Sequence, residues 1–547
     1  MRIDWLWIHE YKNLRDLTVD FDEDHLITVL IGRNGTGKSN VLEALTIMFR
    51  DLIMGENILR QKNKPSFTYK IRYFCKSCWV YIDANPSRKT PYEIRIEELN
   101  ETVSDSKSII TDLNNVPGEK ISLAKLTDET NGFLPKFVFG YYSGQSDRME
   151  RVFQKYLASY DKDLRAGKNP GLKRLFYAQP VHSNFVLLSF IINEAELTNR
   201  FLQEQLGLEE GGVDSVLFVL RQPSWKSKEG DPRFWNARGV VADFLAKLYE
   251  ISLAPIRITR KEPVSLWNKK TLEFLYLYVK DLDALKALAH NKTSGEFFQD
   301  LESTHVSELI DEVRIRVKLR KNDGSVTFRE LSEGEQQLLT VLGLLRFTVE
   351  DESLFLLDEP DTHLNPRWSV DYLKHIDDFL ELGKDSNPAS HVLLATHNPF
   401  AVAELEKEQV QILRRDDDTL KISAGPPDLH PRGMGYAGVV TSDMFGLSAA
   451  IDTHTRELLE RKRKLALKTE ALTNDENIEL AEINDELLSY GFRFEVRDPT
   501  YSKYLKARQD EINSSLNNEE NTKNVTFDRE RAKRLIRLAL DEEDVEK

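Results

Sequence analysis

The residues from Gly32 to Ser39 have the types and the spacing that bind phosphate groups. They read G-R-N-G-T-G-K-S, which fits the phosphate-binding loop pattern G-x-x-x-x-G-K-S. The glycines let the backbone curl so that successive N–H groups point at phosphate oxygens, beside a helix N-terminus that already favours anions. Lys38 would reach the β- and γ-phosphates, and the Ser39 hydroxyl would ligate Mg²⁺. The loop therefore predicts a nucleoside triphosphate site, with contacts from Gly32, Arg33, Asn34, Gly35, Thr36, Gly37, Lys38, Ser39 and Asn40.

Two apolar runs later in the chain end in side chains that suit phosphate chemistry. The run Leu354–Leu357 ends in the carboxylates Asp358 and Glu359. The run 391–396 delivers His397. Each run reads as a buried strand, and each is ambiguous by itself. In this order after a phosphate loop, they favour a nucleotide-hydrolysing site.

A third motif, L-S-E-G-E-Q-Q at 331–337, precedes a run of apolar residues at helical spacing. Taken alone, Ser332 and Glu335 form only a capping box that opens a helix.

These motifs need a strand and a helix on either side of the loop. The β-branched run His25–Ile31 suits a central strand, and apolar residues recur at helical spacing after Ser39. The order strand, glycine loop, helix is the context in which a phosphate-binding loop works.

A hairpin is predicted just before the third motif. The run Val313–Arg320 alternates apolar and basic residues, and Asn322-Asp323-Gly324 turns it into Val326–Phe328. Its polar face is either a solvated edge or a ribbon that faces nucleic acid or phosphate. That face carries Arg314, Arg316, Lys318 and Arg320.

The order of the motifs resembles the ATP-binding-cassette (ABC) ATPase heads of the chromosome-maintenance (SMC-type), DNA-repair and RecF-like group. The resemblance implies an α/β fold, an ABC-type P-loop ATPase head with a helical insertion and a helical C-terminal region. It divides the chain into head lobe I at 1–150, a mostly helical insertion at 151–312 and head lobe II at 313–430. The region 431–547 is expected to be helical and to dock a partner.

The resemblance also implies a role for each motif, with ATP and Mg²⁺ as cofactors. Asp358 would hold the Mg²⁺ that Ser39 coordinates. Glu359 would orient and deprotonate the attacking water, and His397 would contact the γ-phosphate. Gln145 is the candidate lid glutamine that touches Mg²⁺ and the water.

The same resemblance implies that the third motif contacts a second subunit. Ser332, Gly334 and Glu335 would belong to a signature segment whose helix N-terminus reaches the γ-phosphate held by a second subunit. Since the chain has one phosphate loop and one signature, a complete site requires two chains. The resemblance also places Lys12 and Asn13 near the nucleotide.

Bulk composition limits the remaining possibilities. The 547 residues carry a formal net charge of −15, so any nucleic-acid contact must come from a local basic patch or a partner. No apolar run is long enough to span a bilayer. The two cysteines, Cys75 and Cys78, indicate a reducing compartment, and we expect a cytoplasmic protein. Their spacing is either half of a zinc site or a pair of ordinary strand cysteines.

The C-terminal region narrows the resemblance. The tract Thr441–Leu447, T-S-D-M-F-G-L, and a helical hairpin after it look like the PtuA-like ATPase subunit of Septu two-component phage-defence systems. Similar ATPases serve in certain retrons. This implies a regulatory ATPase that forms homodimers or multiples of dimers and controls a separate HNH nuclease, without nuclease activity of its own. Retron-associated relatives add a reverse transcriptase and its DNA–RNA product as candidate partners, and a contact with nucleic acid is either direct or made through such a partner.

Three alternatives stay open. A RecF-like repair or recombination ATPase would act on DNA without a nuclease partner, a single-chain nuclease would carry an unrecognised site, and a transporter ATPase would need a membrane partner. The C-terminal basic residues serve a partner or nucleic acid, or form a solvated helix face. They are Arg456, Arg461, Lys462, Arg463, Lys464 and Lys468. The run Asp416-Asp417-Asp418 is a solvated turn or a metal site.

Overall fold

The structure is a computed structural model. It describes residues 1–22, 24–56, 59–98, 118–144, 146–192, 196–263, 269–320, 325–328, 332–348, 352–381, 390–447, 450–466, 468 and 473–492. The chain divides into two compact units, Met1–Ser448 and Ala449–Lys547.

The described strands all lie in the first unit. In chain order they are β1 (Arg2–Tyr11), β2 (Leu14–Asp20), β3 (Ile27–Ile31), β4 (Tyr69–Cys75), β5 (Cys78–Ala84), β6 (Tyr92–Glu98), β7 (Glu119–Ile121), β8 (Phe137–Tyr142), β9 (Leu175–Tyr177), β10 (Leu208–Arg221), β11 (Ile256–Pro263), β12 (Lys269–Val279), β13 (Ile310–Leu319), β14 (Ser325–Thr327), β15 (Ser353–Asp358), β16 (Ser390–Ala395), β17 (Val410–Arg415) and β18 (Ile422–Gly425).

The described helices belong to both units. In chain order they are α1 (Lys38–Met54), α2 (Leu123–Thr127), α3 (Arg148–Arg165), α4 (His182–Ile191), α5 (Glu196–Glu204), α6 (Gly239–Ile251), α7 (Leu282–Leu288), α8 (Ser294–Val306), α9 (Glu333–Thr348), α10 (Pro366–Glu381), α11 (Pro399–Val402), α12 (Gly435–Thr441), α13 (Thr453–Ala466) and α14 (Asn474–Ser489). None of these helices is long and apolar enough to cross a membrane.

The central sheet has the strand order β18-β17-β3-β16-β15-β8-β9. Its neighbouring strands run parallel except β17 and β18, which are antiparallel. Every residue of β3, β15 and β16 is buried. Strands covered on both faces need continuous apolar runs, which explains why these segments lack the alternation of a half-buried strand. Since β3, β16, β15 and β8 are neighbours and parallel, the loops after them meet at one edge of the sheet.

Alternate residues of these strands serve two different hydrophobic cores. Val29 and Leu357 belong to one core, whereas Leu30 and Leu356 belong to the other. Helix α1 packs in the second core, where Phe49 meets Tyr73 of β4 with ring centroids 5.6 Å apart. This helix is therefore held between the central sheet and a second sheet.

The second sheet is antiparallel, with the order β2-β1-β4-β5-β6-β7. His391 of the central strand β16 joins it to the central sheet, since its Nδ1 accepts the Ile3 N–H at 3.0 Å. The other ring nitrogen, Nε2, lies 3.1 Å from Thr28 Oγ1 in β3. Because Nδ1 accepts a hydrogen bond, the proton of a neutral ring is on Nε2.

The third sheet, here called the outer sheet, is also antiparallel and has the order β11-β12-β10-β13-β14. The predicted hairpin is confirmed, because β13 pairs with β14. Val313, Ile315 and Val317 are buried, and the basic residues between them are exposed. The turn at 322–324 lies outside the described residues.

The segment 151–312 was predicted to be mostly helical, and the structure corrects this. Besides most of α3 and all of α4 to α8 it contains β10, β11 and β12, which build most of the outer sheet. The helical prediction rested on apolar residues that do lie in α4 and α6, and it did not extend to β10 and β12, which bury alternate residues such as Val216, Phe218, Leu275 and Leu277 in the core.

The second unit contains a helical hairpin, as predicted. A capping box between Thr473 and Glu476 begins α14, and Leu465, Ile483 and Leu487 form its small core. The predicted boundary at 431 falls before the boundary at Ala449. The difference arises because α12 is part of the first unit, where Tyr436 contacts Phe400 with ring centroids 4.9 Å apart and Val439 is buried.

Candidate functional site

The phosphate loop connects β3 to α1, as the sequence predicts. Gly32, Gly35 and Gly37 have φ angles of +149°, +83° and +93°, which L side chains rarely adopt. A Cβ at Gly37 would lie 2.6 Å from Leu14 Cδ2. Glycine is therefore required here both for the backbone conformation and for space.

Lys38 begins α1 and points back into the loop. Its Nζ donates to the Gly32 carbonyl at 2.7 Å. The pKa of Lys38 is lowered because the side chain is buried, and the negative charges of Glu359 and Asp358 offset part of this effect. The ammonium thus lies in the electrostatic field of both strand-end carboxylates.

The two residues predicted to approach the nucleotide are placed differently. Asn13 lies against the phosphate loop, where its Nδ2 donates to the Gly35 carbonyl at 2.9 Å and its Oδ1 accepts from Asn40 at 2.6 Å. Lys12 is bound to Glu43 of α1 at 2.5 Å. Asn13 therefore shapes the loop, whereas Lys12 is held by a helix carboxylate.

Asp358, at the end of β15, is fully buried beside the loop. Its Oδ2 lies 3.4 Å from Arg148 Nη2, and its Oδ1 has no hydrogen-bond partner among the described residues. Burial raises the pKa of Asp358, and a hydrogen bond from Ser39 and the charge of Arg148 oppose this.

These residues fit a magnesium ion. A hydroxyl and a carboxylate face one another, and one buried carboxylate oxygen is unsatisfied, which is the donor set that Mg²⁺ uses together with phosphates and water. Among the described residues no cluster of three or more His, Cys, Asp or Glu side chains could hold a metal without such help.

Glu359 and His397 come together at the carboxyl ends of β15 and β16. His397 Nδ1 lies 3.2 Å from Glu359 Oε1. Glu359 has a φ of +52°, in the left-handed region that a non-glycine residue adopts at a cost. Its N–H donates to the Ala395 carbonyl at 2.8 Å, which ties the two strand ends together.

A buried network that the sequence analysis missed supports this pair. Thr396 Oγ1 lies 3.0 Å and 2.9 Å from the two carboxylate oxygens of Asp361 and accepts from the Asn398 N–H. Burial raises the pKa of Asp361. Gln337 of α9 donates to the Pro360 carbonyl. The segment after Glu359 is therefore held by Thr396, the residue before His397, and by Gln337 of the signature helix α9.

The signature segment forms the capping box that its sequence predicts. Glu335 Oε2 accepts from the Ser332 N–H at 2.7 Å, and the Glu335 N–H donates to Ser332 Oγ at 3.3 Å. A Cβ at Gly334 would lie 2.5 Å from the His363 carbonyl oxygen. The first turn of α9 thus lies directly against the loop that follows Glu359.

Gln145, the candidate lid glutamine, lies outside the described residues. Close to it in sequence, Arg148 is the site residue that the sequence analysis missed. Its signal was weak, since an arginine in the first turn of a helix has no special pattern. Its guanidinium also lies over the Tyr142 ring at 5.1 Å and 3.5 Å from Asn40 Oδ1.

Two motifs for which the sequence left a metal site open have structural roles instead. Cys75 and Cys78 are free thiols, and their backbones lie opposite each other in the antiparallel pair β4–β5. They are therefore ordinary strand cysteines. Asp416 lies in the β17–β18 turn, where its Oδ1 accepts from the backbone of Asp418 and Thr419 at 3.1 Å and 2.6 Å. This is the turn alternative proposed for the Asp run.

Two family models match the chain. The model described as "AAA ATPase domain" matches residues 1–173, and the model described as "AAA domain, putative AbiEii toxin, Type IV TA system" matches residues 273–403. Both matched ranges include site residues, the first the phosphate loop and the second Ser332, Asp358, Glu359 and His397.

Two of the curated proteins that are similar to the chain come from a retron and a Septu system by name. "Retron Vc95 probable ATPase" from Vibrio cholerae serotype O1 biovar El Tor is 19% identical over 84% of this chain and 81% of that protein. "Septu protein PtuA" from Bacillus mycoides (strain KBAB4) is 23% identical over 37% of this chain and 28% of that protein. Among solved structures, the SMC head domain from Thermotoga maritima is 12% identical to the chain, and the alignment covers 78% of this chain and 100% of that one. Its TM-score of 0.30 is too low to bear on the fold.

Proposed function

We propose that this chain is an SMC-like, ABC-type AAA ATPase related to PtuA, and we infer its function from that class. The chain is the ATP-binding and ATP-hydrolysing subunit of a two-component anti-phage defence complex. It controls a separate HNH-type nuclease through ATP-dependent dimerisation of its heads. The similarity to a Septu protein and to a retron ATPase supports this assignment.

The observation that carries the ATPase assignment is the convergence of four strand ends. The loops after β3, β8, β15 and β16 bring Lys38, Arg148, Asp358 and the Glu359–His397 pair to one edge of the central sheet. Ligands of open α/β sheets bind at the carboxyl ends of such strands. Local sequence motifs separated by some 320 residues thus build one site.

The chain's own residues divide the reaction among them. The loop N–H groups and Lys38 hold the phosphates, and Ser39 and Asp358 hold the cation. Mg²⁺, when bound, neutralises charge on the β- and γ-phosphate oxygens. Glu359 accepts a proton from the water that attacks the γ-phosphorus while the bond to the ADP oxygen breaks. His397 contacts the γ-phosphate and lies beside the Glu359 carboxylate, which it helps to orient.

Dimerisation follows from the signature segment. Ser332, Gly334 and the N-terminus of α9 are suited to bind a γ-phosphate, because the helix dipole and the N–H groups of a helix N-terminus favour anions. We propose that the phosphate they bind is held by the loop of a second copy. ATP between two heads then restrains the nuclease, and loss of nucleotide or a phage trigger releases it.

The alternative is a RecF-like repair ATPase, which the exposed basic side chains of β13 favour. It predicts tight, salt-dependent binding to duplex DNA by the isolated chain. The defence assignment predicts instead that a small nuclease co-purifies.

The deciding experiment is purification of the chain from its native operon, with and without ATP, followed by mass measurement. The defence assignment expects a complex with a nuclease, and expects Lys38→Ala to change its stability or its regulation. Lys120→Ala is the matched control, because Lys120 is exposed in β7 of the second sheet. A nucleotide-dependent dimer that binds duplex DNA and recruits no protein would instead establish the repair ATPase.

A further inference from the structure

The outer sheet presents one face to the hydrophobic core and an open face to the opposite side. In β12 the side chains of Leu275, Leu277 and Val279 lie in the core. Successive side chains of a strand point to opposite faces, so Phe274, Tyr276 and Tyr278 lie on the open face. The open face is therefore lined by a row of three aromatic rings.

The exposure of these rings differs along the row. Tyr278 is 40% exposed and Tyr276 is partly exposed, whereas Phe274 is covered by Arg260, whose guanidinium lies 4.0 Å from the ring centroid. The neighbouring edge strand β11 extends the surface, since Ile256 is paired with Tyr276 and is 52% exposed. The Tyr278 ring is thus available to a ligand, and the Tyr276 ring is available in part, since the Arg260 guanidinium also lies 5.9 Å from its centroid.

A row of basic side chains lies on the same face. In β13 the side chains of Val313, Ile315 and Val317 lie in the core, so those of Arg314, Arg316 and Lys318 lie on the open face. The register confirms this, because Leu217 of β10 is paired with both Tyr278 and Arg314. The two rows are separated by one strand, which corresponds to about 10 Å.

The charges of the two rows are only partly neutralised. Arg314 is bound to Glu312 at 2.7 Å, and Arg260 lies 3.6 Å from Glu262. Arg316 and Lys318 are exposed and make no ion pair within the described part of the chain. On a protein of net charge −15, this leaves a local cationic strip beside the exposed rings.

We propose that the open face of the outer sheet binds single-stranded nucleic acid. Bases stack on Tyr276 and Tyr278, and the phosphates of the same strand meet Arg316 and Lys318. Aromatic rings on a sheet flanked by cations are the arrangement that binds single strands, because every base has a face to stack and every nucleotide carries a charge. Bases paired within a duplex cannot reach the rings, so duplex DNA binds this face only through its phosphates.

This inference is independent of the nucleotide site. The outer-sheet residues are not among those that surround Lys38 or Asp358, so the surface does not depend on the proposed control of a nuclease. If the proposed function failed, binding of single strands would still be expected.

The test measures binding of labelled single strands of about 20 nucleotides to the full chain by fluorescence anisotropy, between about 50 and 200 mM salt. Oligothymidine and oligouridine arms decide whether DNA or RNA is preferred. Tyr278→Ala is expected to weaken binding about tenfold or more, without changing the salt dependence. Arg316→Gln with Lys318→Gln is expected to lower the slope of log affinity against log salt by about 1.4, which is about 0.7 for each lost phosphate contact.

Matched controls separate this surface from general effects. Tyr278→Phe keeps the ring and is expected to bind like the unaltered chain. Lys120→Gln with Lys125→Gln removes two exposed charges from the second sheet and its neighbouring helix, and is expected to keep the salt slope. The proposal is overturned if single strands do not bind at the lowest salt, if both surface variants bind normally while folded, or if duplex binds as tightly as single strands.

Discussion

His397 Nδ1 lies 3.2 Å from Glu359 Oε1, although 38 residues separate them in the chain. The pair exists because β15 and β16 are parallel neighbours in register, with Asp358 opposite Ala395. Glu359 reaches this position only through a left-handed backbone conformation. Strain of this kind is found where a side chain must be held in one direction for function.

Glu359→Gln tests the assignment of the general base. The amide keeps the size of the side chain but cannot accept a proton, so we expect ATP turnover to fall by about 10²- to 10⁴-fold. ATP binding should be retained, and ATP-bound dimers should accumulate. Steady-state phosphate release and mass measurement with ATP check both parts. Unchanged turnover would show that another group is the base.

Lys38→Ala tests the phosphate contact. Loss of a charge-assisted hydrogen bond costs about 1.5–3 kcal/mol, so ATP should bind about 10- to 150-fold more weakly. Titration calorimetry measures the change. Lys120→Ala, at an exposed residue of β7, should bind ATP normally, and equal losses in both variants would indicate a general effect on folding.

Arg148→Gln tests the contact between Arg148 and Asp358. The guanidinium lies 3.4 Å from the Asp358 carboxylate that is proposed to hold Mg²⁺, so the two cations compete. We expect the variant to need less Mg²⁺ for nucleotide binding and, without nucleotide, to lose about 1–3 kcal/mol of stability. Arg151→Gln is the control, since Arg151 lies one turn further along α3 and pairs with Asp147 on the surface. If Arg148 instead contacts ATP, nucleotide affinity will fall at every Mg²⁺ concentration.

Gly334→Ala tests the signature segment. The added Cβ would collide with the His363 carbonyl at 2.5 Å and displace the loop after Glu359. We expect ATP-dependent dimerisation to be lost while each chain still binds ATP, which sedimentation and calorimetry measure separately. Gly295→Ala is the matched helical control, because its nearest contact is 4.0 Å away. If the Gly334→Ala variant still formed dimers with ATP, the signature segment would not be part of the dimer interface.

His391 predicts a pH dependence of stability. Burial lowers the pKa of His391 to about 3, and the positive charges of the N-terminus and of Arg2 act in the same direction. The unfolded chain has a pKa near 6.5 at this residue and takes up the proton first, so stability falls as the pH drops below about 6.5. Between about pH 7.5 and 5.5 the loss is about 1.4 kcal/mol.

Denaturant unfolding at the two pH values measures this loss. His391→Gln should remove about 1.4 kcal/mol of the pH dependence, whatever it does to stability at pH 7.5. Identical pH dependence in the two proteins would show that the pKa of His391 does not differ between the folded and the unfolded chain.

The sequence by itself determined the parts of the site that are contiguous in the chain. The phosphate loop, the strand that ends in Asp358 and Glu359, the capping box at Ser332 and the β13–β14 hairpin each follow from local spacing. Such patterns can be read because a helix or strand buries residues at a fixed period, and because a glycine loop or a cap needs particular residue types at fixed offsets.

Only the tertiary structure decided which distant residues meet. Arg148 contacts a carboxylate 210 residues away, and β10 brings the tyrosines of β12 and the arginines of β13 onto one face. Pairing of this kind depends on sheet order and register, and one residue of slip would turn every side chain to the other face. Local spacing carries no record of that register. The basic row was therefore visible in the sequence, whereas the aromatic row beside it required the fold.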